Sequence, residues 1–128
     1  MSEHVAEQVN DAVVSRTIEA SPLHIWEVLV SPAGAEALLG HGASLGSKGE
    51  SWHSDNGAMG VVRSVHPLEQ LRVSWHETPD APRTVVELDL IAQGSDTRVD
   101  ILHSGYEGDV EQDRDRWASA LERLESLL

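Results

Sequence analysis

Residues 15–32 read SRTIEASPLHIWEVLVSP. A β-like run is followed by two helix starts ten residues apart, and this order decides the fold. Ser21-Pro22 begins the first helix: the Ser side chain caps a free backbone N–H, and Pro fits the first helical position. Ile25, Trp26 and Leu29 then recur as a helical stripe. Ser31-Pro32 repeats the signal and predicts a second short helix to about Leu39, stopped by Gly40. Before the helices, residues 12–20 are rich in β-branched side chains and predict a strand. Val14, Ile18 and Ala20 share one of its faces, which Arg16 interrupts.

Beyond Gly40 the pattern changes. Residues 40–49 hold four glycines and read as a loop. Residues 50–54 predict a short strand. A longer one spans 58–66, after the turn Asp55-Asn56-Gly57 and before Pro67. Leu71, Val73 and Trp75 alternate with polar residues; so do Val86, Leu88 and Leu90, and then Val99, Ile101 and His103. Thr78-Pro79-Asp80-Ala81-Pro82 and Gln93-Gly94-Ser95-Asp96 are turns. From about Val110 the chain reads as a helix, with Trp117, Leu121, Leu124 and Leu128 on one stripe. Arg114, Arg116, Glu122, Arg123 and Glu125 fall mostly on its solvated side. This order predicts an α+β domain over residues 12–128, with a curved antiparallel sheet gripping the C-terminal helix around an apolar cavity. Residues 1–11, polar and acidic, are expected to form a flexible N-terminus.

The 128 residues fit one domain. With 22 acids against 9 bases the net charge is −13, and Lys48 is the one lysine. Such a charge repels phosphate backbones, so nucleic-acid binding is not expected. No stretch approaches the roughly 18 apolar residues of a membrane span, so membrane insertion is not expected either. Cysteine is absent, which removes disulfides and thiolate chemistry. The start, MSEHVAEQVNDAVV, lacks a signal peptide's basic and apolar regions, so a cytoplasmic location is expected. Phenylalanine is missing too; four tryptophans supply the bulky packing.

Several segments, in this order, resemble the SRPBCC (START-like) superfamily, and most closely the bacterial homologues of the activator of the heat-shock-protein-90 ATPase. They are residues 15–22, Ile25-Trp26, Gly60-Val61-Val62, Val65-His66-Pro67, residues 71–75, residues 103–106 and the Trp117 helix. The resemblance covers about residues 13–128. It implies a helix-grip fold with an apolar cavity between sheet and helix. Members of the superfamily bind lipids, hormones and polyketides, and some act as cyclases. Relatives often carry an aromatic residue after the second helix, where this chain reads Leu38-Leu39-Gly40-His41-Gly42.

Candidate chemistry is sparse. Gly42-Ala43-Ser44-Leu45-Gly46 matches the GxSxG string, but a nucleophile elbow needs a strand before it and a helix after it, and here the order is reversed. The loop glycines lack dinucleotide-binding spacing. The seven histidines form no metal-ligand spacing, so neither metal nor cofactor is expected. Alternation turns His103 inward, to orient a ligand, to act as a general base, or to be satisfied by a protein partner. Arg63 interrupts the face of Met59, Val61 and Val65. In that register it meets a ligand carboxylate; in the other, Val62 points inward and Arg63 reaches solvent. Trp52, Trp75 and Trp117 are candidate cavity walls or core fillers, and Leu88 on its strand face and Leu121 on the helical stripe join them as candidate lining. Tyr106 guards an entrance, acts as an acid, or anchors a loop.

The expected ligand set is thus Trp52, Met59, Val61, Arg63, Trp75, Leu88, His103, Trp117 and Leu121. The expected function is binding of a small hydrophobic or amphipathic molecule. The alternatives are a co-chaperone-like regulator of a protein partner, or a cyclase- or hydrolase-type enzyme in the same cavity with His103 as base. A homodimer is compatible with each.

Overall fold

The computed structural model describes residues 11–128, so the flexible segment expected over 1–11 lies, except for Asp11, outside the described residues. The elements run β1 (Ala12–Ile18), α1 (Pro22–Leu29), α2 (Pro32–Leu39), β2 (Ser51–His53), β3 (Met59–His66), β4 (Gln70–Trp75), β5 (Thr84–Gln93), β6 (Asp96–Ser104) and α3 (Val110–Ser126). The strands form one antiparallel sheet in the order β1-β6-β5-β4-β3-β2. The first and last strands by position, β1 and β2, are therefore not neighbours, and α1 and α2 bridge the distance between them. This is the α+β helix-grip fold expected from the order of elements.

The helix starts form as their sequence dictates. Ser21 Oγ accepts the His24 N–H, and Ser31 Oγ accepts the Gly34 N–H. Asp109 caps α3 by accepting from Glu111 and Gln112. Gly34 lets the two short helices touch: a Cβ there would stand 1.8 Å from the Val28 carbonyl oxygen. No helix among the described residues is long and apolar enough to cross a membrane.

The inner face of the sheet is built in cross-strand rows. Val65, Leu71, Leu88, Ile101 and Val14 make one; Val62, Val73, Val86, His103 and Ala12 make the next. Against them α3 lays Trp117, Ala120, Leu121 and Leu124, all buried. Arg16, which broke the β1 pattern, reaches the C-terminal turn of α3, where its Nε meets Glu125 Oε1 at 2.6 Å.

Strand β3 departs from simple alternation. Val62 pairs with Val73, but Ser64 pairs with Arg72, so Arg63 is an extra residue in a β-bulge. The bulge shifts the phase of the strand by one. Val62 is fully buried and Arg63 is exposed. Of the two registers the sequence left open, the structure has the one with Val62 inward and Arg63 in solvent, and the bulge returns Val65 to the inner face beyond it.

Candidate functional site

One end of the helix–sheet sandwich holds a buried polar network. His103 on β6 and Asp113 in the first turns of α3 are both fully buried, with Nδ1 2.6 Å from Asp113 Oδ2. On its other side the ring faces Thr84, with Nε2 2.7 Å from Oγ1. Thr84 Oγ1 in turn donates to the Trp75 carbonyl at 2.7 Å. Asp113 Oδ1 accepts from Arg116 at 2.7 Å and from the Trp117 indole N–H at 3.1 Å, and that N–H stands equally close, 3.1 Å, to His103 Nδ1. No buried side-chain polar atom among the described residues lacks a partner.

Hydrogen counting fixes the roles. Thr84 has one hydroxyl hydrogen, and the Trp75 carbonyl takes it. Nε2 must then carry a hydrogen toward Oγ1. A second hydrogen has to lie between Nδ1 and Oδ2, because two lone pairs do not approach to 2.6 Å. The ring thus has no free nitrogen to offer a ligand. The Asp113–His103–Thr84 line has the members of a hydrolytic triad, but the hydroxyl is turned into the core and held by a carbonyl. Nucleophilic attack needs it facing a substrate.

Two clefts open around this network. The smaller, about 130 Å³, is walled by Trp75, Pro82, Thr84, Gly105 and Tyr106. The larger, about 270 Å³, enters between the end of α2, the β2–β3 turn and α3. Leu38, Leu39, Ala58, Trp75 and Trp117 form its apolar walls; Arg116, Arg123 and Glu77 are its charged groups. Trp75 and Glu77 belong to both clefts. The Arg116 guanidinium lies 4.7 Å above the Trp75 ring and 5.4 Å from that of Tyr106, a cation–π stack that ties helix to sheet. The Tyr106 hydroxyl donates to Glu77 at 3.1 Å, and its ring stacks on His103.

The sequence-expected residues separate around this geometry. Trp75 and Trp117 line the larger cleft. Leu88, His103 and Leu121 lie deeper, packed in the core and lining neither cleft. The Trp52 indole donates to the Ser74 carbonyl at 3.1 Å and braces β2 against β4. Gly60 makes room for it, since a Cβ there would stand 1.8 Å from Ser74 O and 2.8 Å from the indole nitrogen. Met59 is half-buried at the start of β3. Val61 and Arg63 border a shallow outer groove with Lys48, away from the helix. Ser44 of the GxSxG string sits in the loop between α2 and β2. Its neighbour His41 pairs with Asp55 at 2.7 Å; that hydrogen bond, with the charge of Glu36, holds the exposed imidazole above its usual range. Among the described residues no three metal-capable side chains cluster.

Asp113, Thr84, Arg116, Arg123 and Glu77 were not singled out by sequence. Asp113 had a signal: it stands one turn before Trp117 on the Trp117–Leu121–Leu124 stripe. The others carry no pattern that separates them from surface residues.

The family model of Activator of Hsp90 ATPase homolog 1-like protein matches residues 19–128 of the chain. No curated protein sequence matches it. Among solved structures, protein MLL2253 from Mesorhizobium loti is similar at 26% identity and TM-score 0.74, over 91% of this chain and 95% of that one. The Aha1 dimer from Colwellia psychrerythraea is similar at 20% identity and TM-score 0.76, over 92% and 95%. DynU16, from the dynemicin biosynthetic locus, is similar at 22% identity and TM-score 0.79, over 91% of this chain; the chain spans about half of DynU16, 46% of its length.

Proposed function

The chain belongs to the Activator of Hsp90 ATPase homolog 1-like protein family, and from that premise we propose that it binds a small amphipathic molecule in the larger cleft. The supporting observation is the wall itself. Trp75, Trp117, Leu38 and Leu39 underlie one opening, whose lining also carries Arg116, Arg123 and Glu77. Small-molecule sites pair apolar walls with a few placed polar groups in this way. At about 270 Å³ the cleft lies just under the roughly 300–1,000 Å³ of typical sites, so it suits a short ligand rather than a polycyclic one. The stretch where relatives often carry an aromatic residue is here Leu38-Leu39-Gly40-His41-Gly42, and its first three residues line this cleft.

Native mass spectrometry of freshly purified protein tests the reading. A retained mass is expected on the wild type and is expected to be lost in Thr78→Trp, where a bulky ring on the exposed rim fills the opening without entering the core. A mass retained equally by both proteins contradicts the proposal. A second reading, a regulator that docks on a protein, draws on the family description and on the dimeric relative from Colwellia psychrerythraea. Co-purification of one defined partner, unaffected by Thr78→Trp, favours it.

A further inference from the structure

We propose that the molecule bound in the larger cleft carries a carboxylate head, seated on the side of α3 between Arg116 and Arg123. The inference rests on the cleft being a small-molecule site, and it names the ligand's chemical class.

The charge census carries the argument. The chain has 22 acids and 9 bases, so a cleft lined without selection holds more carboxylates than cations. This one has the reverse: Arg116 and Arg123 against Glu77 alone. The two arginines are seven residues apart, about 10 Å or two turns along one side of the helix. Both guanidinium side chains line the same cleft, Arg116 at its Trp75 end and Arg123 at its α2 end.

The arginines are held without being fully used. Arg116 gives Nη1 to Asp113 and stacks on Trp75, which fixes its plane. Its Nη2 stands 3.9 Å from Glu77 Oε2, beyond hydrogen-bond reach. The other oxygen of Asp113 faces His103, whose Nδ1 lies 2.6 Å from Oδ2. Arg123 gives Nε to the Ala37 carbonyl at 3.1 Å, which pins its stem. Among the described residues, its two terminal nitrogens meet no carboxylate. Glu36 and His41 lie on the far side of Arg123, along the next surface groove. Two pre-positioned guanidinium forks beside indole walls match an apolar tail ending in a planar anion, which arginine binds through paired N–H donors. A neutral or cationic head leaves those donors unpaired.

Titration of the intrinsic tryptophan fluorescence with octanoate and with 1-octanol tests this. Octanoate is expected to bind at least about tenfold more tightly, a difference of about 1.4 kcal/mol. Arg123→Gln, on the exposed side of the helix, is expected to remove most of that preference by weakening octanoate. Arg116→Gln is expected to do the same if it folds. Glu77→Gln, which deletes the opposing charge and keeps an acceptor for Tyr106, is expected to tighten octanoate several-fold. Equal affinity for the two amphiphiles, or an Arg123→Gln protein that keeps the full preference, overturns the carboxylate inference and leaves the cleft a small-molecule site. Failure of both amphiphiles to change the fluorescence overturns the reading of the cleft itself.

Discussion

Asp113→Ala is expected to lower the free energy of unfolding by about 3–5 kcal/mol, measured by urea denaturation. Its carboxylate is fully buried and accepts from Arg116 and Trp117 while facing the His103 ring. Removing one member of a buried pair leaves the others desolvated and unpaired, and this loss exceeds what the intact pair contributes. Asp113→Asn is the control. Its amide oxygen still accepts from Arg116 and Trp117, and its NH₂ can donate to Nδ1 once the hydrogen between ring and carboxylate is gone. It is expected to cost about 1–2 kcal/mol, because hydrogen bonds to a neutral group are weaker. Equal losses in the two variants would mean that the negative charge, rather than the hydrogen-bond geometry, holds the network together.

Trp117→Ala is expected to cost about 3–5 kcal/mol as well, through a cavity that the core cannot close. The ring is 1% exposed and meets the rings of Trp75 and His103 edge-on at 6.0 and 5.5 Å. Trp117→Phe keeps most of the packing and loses the N–H donated to Asp113, so about 1–2 kcal/mol is expected. The double variant Asp113→Ala/Trp117→Ala is expected to lose less than the two single losses together, because both delete the same contact. Strict additivity contradicts the placement of the two residues in one network.

The fold was readable because its signals are local. Ser21-Pro22 and Ser31-Pro32 act within one helical turn, and the alternation of Leu71-Val73-Trp75 or Val99-Ile101-His103 needs no knowledge of the partner strand. Strand β3 was harder. Its register depends on whether β4 is matched residue for residue, and the bulge at Arg63 is a property of the pair. Alternation alone thus left Arg63 with two orientations.

The site was readable in part. Trp75 and Trp117 could be named because bulky apolar residues on inward stripes must face the sheet–helix interface. Whether that interface leaves space is a matter of packing. Here it is closed around Leu88, His103 and Leu121 and opens beyond them, at the end near Leu38 and Leu39. The inward turn of His103 followed from strand period. Its capture by Thr84 and Asp113 did not, because these stand 19 and 10 residues away on other elements. Arg116 and Arg123 look like members of a solvated helix face, and only the approach of the β4 end and of α2 turns that face into a cleft wall.

The four indole N–H signals of a ¹⁵N-labelled sample give the most direct test of the central claim. Trp75 and Trp117 line the larger cleft, whereas Trp26 and Trp52 lie outside it. Titration with octanoate, and separately with 1-octanol, is expected to move the Trp75 and Trp117 signals along a saturable curve and to leave the other two in place. If neither amphiphile moves them, or if all four signals shift together, this cleft is not the binding site of a small amphipathic molecule.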